Sequence, residues 1–206
     1  MSAPITSVRA LLQELLRHRD PSTYAEILER YSVPTRDLEP YFRWNSRHYT
    51  RTCIHRNEDF ELLVICYEPG QRTSIHDYDS QRAWVHTVTG EVVEERFDPQ
   101  PDGGVKLKLE KHLHAGTVDA LQNGSAIHRF TNRGPERAVT INLYAKPMSK
   151  WHVYDERTGS MSLSPAGTWV MGSPVRINTS PAGRVRFTAS CSNTRCNSGS
   201  LNMPPK

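Results

Sequence analysis

The stretch Arg82-Ala-Trp-Val-His-Thr-Val-Thr-Gly-Glu-Val-Val-Glu-Glu-Arg-Phe-Asp98 indicates the fold class. It contains two runs rich in β-branched and aromatic residues, Arg82–Val88 and Glu91–Asp98, separated by Thr89-Gly90, a pattern that predicts two strands joined by a tight turn. The same pattern extends in both directions, and the other predicted strands are Phe60–Tyr67, Thr73–Tyr78, Val105–His114, Thr117–Leu121, Ile127–Thr131 and Ala138–Tyr144, with weaker candidates at Trp151–Asp155 and Val175–Phe187. Many short strands predict a mainly β protein, a barrel or sandwich of the jelly-roll type.

Helical patterns precede these strands. Apolar residues at spacings of three and four predict a helix over Val8–Leu16, with Thr6 or Ser7 as its cap. A second helix is predicted over Pro21–Tyr31 and a short third one over Thr35–Trp44. We therefore expect helices in residues 1–44 that pack on a barrel formed by residues 45–189. The residues 190–206, rich in Ser, Asn, Gly and Pro, are expected to be a disordered polar tail.

Composition excludes several classes of function. The 206 residues carry 26 Lys and Arg against 22 Asp and Glu, and this net charge of +4 is too mild to favour a nucleic-acid partner. No run of 18 apolar residues predicts a membrane span, and the N-terminus reads as an amphipathic helix instead of a signal peptide. The four cysteines form no CxxC pair, which is consistent with a reducing, cytoplasmic setting.

Two groups among the nine histidines have the spacing of metal ligands. In a strand, residues two apart face the same way, so His76 and Tyr78 are predicted to point together, and His128 on another strand could meet them inside a barrel. Asp77 would face the other way. The second group, His112 and His114, lies on the polar side of an alternating strand and is interpreted as solvated surface.

Several motifs together resemble the cysteine dioxygenase family, thiol dioxygenases of the cupin superfamily. They are Tyr49-Thr50-Arg51, Ser74-Ile75-His76-Asp77, Ile127-His128-Arg129, Leu143-Tyr144 and His152-Val153-Tyr154-Asp155-Glu156-Arg157-Thr158-Gly159. The resemblance implies a cupin barrel that holds non-haem Fe(II), or another divalent transition metal such as Ni. It also implies that L-cysteine or a related thiol and O2 bind at the open positions of the metal.

The resemblance assigns roles to individual residues. His76 and His128 fall on metal-ligand positions, Tyr49 and Arg51 on positions that grip the substrate carboxylate, and Tyr144 on the catalytic tyrosine near the metal. A planar guanidinium also suits bidentate carboxylate capture better than a lysine does. The aromatic residues Trp84, Trp151 and Tyr154 are interpreted as core or rim residues.

Four positions depart from the family pattern. Tyr78 stands where the family has a histidine ligand, so it either ligates as a phenolate or fills the gap as a cavity residue. Ala83 replaces a cysteine that can crosslink to the tyrosine, and Thr140 and Asn142 replace the serine and histidine of a relay. Alternation puts Thr140, Asn142 and Tyr144 on one face of the strand. This face is either exposed to solvent or lines a polar cavity, in which Asn142 would orient Tyr144 by a hydrogen bond.

The leading hypothesis is a metal-dependent oxygenase that acts on L-cysteine, with Arg51, Tyr49, Asn142 and Thr140 contacting the substrate. The changed residues at 78 and 142 motivate an alternative, an oxidative rearrangement of cysteine, for example to a sulfonamide, in specialised metabolism. A non-catalytic cupin that serves as a binding module is the third hypothesis. This chain retains Arg51, Tyr144, His76 and His128 together, which argues against the hypothesis that the site has lost its function.

Overall fold

The computed structural model describes residues 3–32, 34–77, 82–101, 103–121, 127–148, 150–156, 158, 160–165 and 170–171. Three earlier expectations lie outside these residues: the orientation of Tyr78, the weak strand Val175–Phe187 and the polar tail 190–206.

The N-terminal segment forms the helices α1 Val8–Arg17, α2 Tyr24–Glu29 and α3 Thr35–Leu38. The Ser7 hydroxyl caps α1 by accepting a hydrogen bond from the Ala10 N–H at 3.0 Å. The predicted third helix is shorter than expected and continues only as a 3₁₀ turn at Glu39–Tyr41. Pro40 lies in that turn and has no N–H to donate, so it cannot continue an α-helix.

Twelve strands are seen in the described part of the chain. They are β1 Thr50–Arg56, β2 Phe60–Tyr67, β3 Ile75–His76, β4 Ala83–Thr89, β5 Glu91–Pro99, β6 Val105–His114, β7 Val118–Leu121, β8 Ile127–Thr131, β9 Ala138–Ala145, β10 Lys150–Tyr154, β11 Met161–Pro165 and β12 Val170–Met171. One sheet has the order β12-β1-β2-β9-β4-β7 and the other the order β11-β10-β3-β8-β5-β6. This arrangement confirms the predicted jelly-roll barrel with a helical N-terminal segment.

The strand predictions were wrong in two respects. Strands β1, β11 and β12 were not predicted, and the predicted strand Thr73–Tyr78 is a strand only over Ile75–His76 among the described residues. The β1 sequence Thr-Arg-Thr-Cys-Ile-His-Arg lacks the apolar alternation of a half-buried strand because its inward residues include the charged Arg51.

The first sheet is buried on both faces. Its outer face packs against the helices, where Leu62, Ile141 and Leu143 join Leu11 and Leu15 in one apolar cluster. The inner face belongs to a second cluster, which contains Leu63, Ile65, Val85, Phe130 and Tyr144. Burial on both faces explains why β2 and β9 are buried along their whole length.

The chain passes from the first sheet to the second at Gly90, between β4 and β5. Gly90 has φ +70°, and a Cβ atom there would lie 2.6 Å from the Arg137 carbonyl oxygen. Any side chain would therefore force the backbone to shift.

Within the residues that the structure describes, no helix is long and apolar enough to cross a membrane.

Candidate functional site

A small pocket that is partly open to solvent lies between the two sheets. Its lining residues are Tyr49, Arg51, Ile65, Tyr67, Thr73, His76, Phe130, Asn142, Tyr144 and Trp151. The structure thus brings together, in one cavity, most of the site residues proposed from the sequence.

His76 and His128 lie directly opposite each other on β3 and β8. Their ring centroids are 4.7 Å apart, and their exposed fractions are 3% and 0%. The His76 Nδ1 lies 2.8 Å from the Ser74 carbonyl oxygen, which can only accept a hydrogen bond. His76 Nδ1 therefore donates, and Nε2 is the nitrogen with the lone pair. Burial lowers the pKa of His76 well below its usual value, which keeps the ring neutral.

Glu94 orients His128 in the same way. Its Oε1 lies 3.0 Å from His128 Nδ1, and its Oε2 accepts a hydrogen bond from Arg96 at 2.8 Å. Burial raises the pKa of Glu94, but the hydrogen bonds from His128 and Arg96 outweigh it and bring that pKa to about 2. The carboxylate is therefore ionised and accepts a hydrogen bond from Nδ1–H, which leaves Nε2 as the His128 nitrogen that is able to coordinate a metal.

Each of the two rings can offer its Nε2 to a transition metal, because imidazole suits Fe, Ni, Cu and Zn. Among the described residues, no three His, Cys, Asp or Glu side chains converge on a common metal position. The third position proposed from the sequence, Tyr78, lies outside those residues. Asp77 faces away from the cavity, where its carboxylate contacts His152 Nδ1 at 2.9 Å and accepts the Tyr154 hydroxyl at 2.8 Å.

Arg51 enters the cavity from β1, on the other sheet. It is only 9% exposed, and among the described residues its Nε has no hydrogen-bond partner and its guanidinium pairs with no carboxylate. Its Cζ lies 4.7 Å from the ring centroid of Trp151. A buried charge is costly when no counter-ion accompanies it, and none is present among the described residues, so this guanidinium is able to bind an anion.

Tyr49 lies beside this guanidinium in the cavity wall. Its ring stacks on Tyr67 at a centroid distance of 5.7 Å. Burial raises the pKa of both hydroxyls, which keeps them protonated as hydrogen-bond donors.

The polar row on β9 faces the barrel interior, which excludes the solvent-face alternative. The Thr140 hydroxyl donates to Asn142 Oδ1 at 2.7 Å, and Asn142 Nδ2 donates to the Tyr144 hydroxyl at 3.4 Å. All three side chains are buried. Ala83 is the cross-strand partner of Tyr144, so a methyl group stands where a crosslinking thiol would be needed.

Glu94 and Trp151 contribute to the cavity region but were not identified from the sequence as site residues. Glu94 is two residues after the inward Val92 on β5, so strict alternation could have placed it inside. Trp151 was interpreted as a core or rim residue, and the structure places its ring on the cavity wall. His112 and His114 lie exposed on the edge strand β6, next to Glu91, as expected of solvated surface.

The family model and the similar sequences indicate one family. The family model described as cysteine dioxygenase type I matches residues 2–157. Cysteine dioxygenase type 1 from Rattus norvegicus is 28% identical over 137 residues, covering 65% of this chain and 68% of that protein. The Homo sapiens protein of the same name is also 28% identical, over 138 residues, with the same coverage. A solved Klebsiella pneumoniae protein with a double-stranded β-helix domain has a TM-score of 0.47 at 18% identity, covering 63% of this chain and 88% of that chain. On the match over residues 2–157, this chain belongs to the cysteine dioxygenase type I family of cupins.

Proposed function

We propose that this protein uses O2 to oxidise the thiol of L-cysteine to a sulfinate at a metal held by His76 and His128. The observation that carries the proposal is Arg51, a buried guanidinium with no carboxylate partner among the described residues. It lines the same cavity as His76 but belongs to the opposite sheet. An anionic group and a metal-binding group of one small substrate could therefore be held at the same time.

The substrate carboxylate would bind Arg51 through two parallel N–H···O hydrogen bonds, with the Tyr49 hydroxyl as a further donor. The thiol would then face the two histidines. The relatives named cysteine dioxygenase type 1 support an amino acid thiol of this size as the substrate.

A bound Fe(II), or another divalent transition metal such as Ni, would supply the redox chemistry that joins O2 to the thiol. Tyr78, two residues after His76, stays the proposed third ligand. Asn142 accepts from Thr140, so its amide N–H points to Tyr144 and holds that hydroxyl in place as a proton donor within the cavity. The overall reaction, R–SH + O2 → R–SO2H, balances without a further reductant, because both oxygen atoms end on sulfur.

The test is O2 uptake by the metal-loaded protein with L-cysteine, together with mass spectrometry of the product formed under ¹⁸O2. We expect one O2 consumed for each cysteine and a product that carries two labelled oxygens. The protein loaded with Fe(II) or Ni would contradict the proposal if it consumed no O2, or if its only product were a rearranged compound without two labelled oxygens on sulfur.

A further inference from the structure

Trp151 faces the barrel interior from β10. Val153 is the cross-strand partner of His76, and a residue two positions earlier on a strand lies on the same face. The indole lies between the two halves of the site: its centroid is 5.1 Å from the His76 ring and 4.7 Å from Arg51 Cζ. One side chain therefore contacts a candidate metal ligand on one sheet and the candidate carboxylate-binding group on the other.

The position of Arg51 Cζ over the Trp151 ring suits a guanidinium that must also bind a carboxylate. An aromatic ring contacts the face of the guanidinium, whereas hydrogen bonds to a carboxylate use its edge, so the two interactions do not compete. Arginine has several rotatable bonds, and among the described residues Arg51 Nε–H donates no hydrogen bond that would fix the orientation of the side chain. The contact with Trp151 is thus positioned to hold the guanidinium in plane before a ligand arrives.

We propose that Trp151 is a specificity-determining, positioning residue that acts through Arg51. By holding the guanidinium in one orientation, it makes the site select thiols with an α-carboxylate over thiols that lack one. This inference rests on the proposed function, since it assigns the selectivity of the same cavity.

The test compares L-cysteine with cysteamine, which has the thiol and the amine but no carboxylate. Binding of each is measured anaerobically by calorimetry to the metal-loaded wild type and to Trp151→Leu and Trp151→Phe. We expect Trp151→Leu to weaken cysteine binding about 5- to 30-fold and cysteamine binding less than twofold. Trp151→Phe keeps an aromatic ring, so its affinity for cysteine should stay within about threefold of the wild-type affinity.

Trp44 supplies a matched control, because its ring lies 4.4 Å from Arg137 Cζ outside the cavity. Trp44→Leu removes the same type of contact and should leave cysteine binding unchanged, and melting temperatures of all variants report general damage.

Three results overturn the inference while the proposed function stands: unchanged cysteine binding in Trp151→Leu, an equal loss for both ligands, or a loss in Trp151→Phe as large as in Trp151→Leu. A metal-loaded wild type that binds neither thiol contradicts the proposed function, and the inference falls with it.

Discussion

At the scale of single residues, the two cavity histidines are held by different acceptors, a carbonyl oxygen for His76 and a carboxylate for His128. Both arrangements leave Nε2 available to a metal, so we expect that both rings are needed to retain it. We expect His76→Ala and His128→Ala each to lose most of the bound metal, measured by elemental analysis of the purified protein. His112→Ala, on the exposed strand β6, should keep it. Loss of metal in His112→Ala instead would mean that the wrong histidines were chosen.

Glu94 and its neighbour Glu95 form a natural comparison, since the pKa of each carboxyl is lowered to about 2 but they face opposite sides of β5. Glu94 contacts His128, whereas Glu95 accepts hydrogen bonds from Arg129 and Thr131. Glu94→Gln removes the charge that orients His128, so we expect metal affinity to fall by about 10- to 100-fold. Glu95→Gln should leave metal affinity unchanged. Competitive chelator titration measures both, and equal affinities would show that Glu94 does not support the metal.

Arg51 is the residue on which substrate selection depends. Arg51→Lys keeps the positive charge but loses the planar fork, so we expect the apparent affinity for L-cysteine to weaken by about 1–3 kcal/mol. The measurement is the KM for cysteine, with cysteamine as the comparison substrate. Equal turnover of cysteine and cysteamine by the wild type would remove the carboxylate role of Arg51.

At the scale of the elements, α1 stabilises the barrel by covering the outer face of the first sheet. Leu15 is fully buried in the cluster that includes Leu62 and Leu143, whereas the adjacent Leu16 is only partly buried. Leu15→Ala should lower the free energy of unfolding by about 2–5 kcal/mol because it leaves a cavity. Leu16→Ala should lower the free energy of unfolding by clearly less. Chemical denaturation measures both, and similar losses would contradict the view that the Leu15 side of α1 is the docking face.

The elements also show where sequence reasoning works and where it fails. Strands with a clear apolar pattern, a nearly continuous run in β2 and alternation in β6, were predicted with their correct bounds. Strand β1 was missed because its inward position holds Arg51, a charged group that is inside only because it serves the cavity. Glu94 was missed for the same reason, since a glutamate in a strand usually faces water. Polar residues that face inward break the pattern from which strands and cores are predicted, and in this protein they concentrate around the candidate site.

At the scale of the whole molecule, the candidate site depends on both sheets, because Arg51 comes from one and His76 and His128 from the other. Sequence spacing alone could pair His76 with residues on its own strand but could not show that Trp151 connects it to Arg51. That contact depends on how strands distant in sequence meet across the barrel, which only the three-dimensional structure reveals.

The stability of the whole protein should decrease on acidification in two steps. Burial lowers the pKa of His55 and His86 below the ordinary 6.5, so below that pH the unfolded chain binds protons that the folded chain does not. The free energy of unfolding therefore falls as the pH drops below about 6.5. Glu94 and Glu95 act in the same direction at lower pH, because the pKa of each carboxyl is lowered from 4.5 to about 2 in the folded protein. Their contribution to the free energy of unfolding is fully present above pH 4.5 and is lost as the pH falls towards 2.

His86 provides the test of the first step. Its ring packs edge-on against Tyr31 at a centroid distance of 5.2 Å, between the helical segment and the barrel. His86→Phe keeps an aromatic ring but cannot bind a proton, so the variant should lose less stability than the wild type between pH 7 and pH 5. Urea denaturation at both pH values gives the two differences. If burial of neutral His86 contributes to the pH dependence, removing this titrating group must make the stability less dependent on pH. An equal decrease in the free energy of unfolding in the variant and the wild type would exclude that contribution.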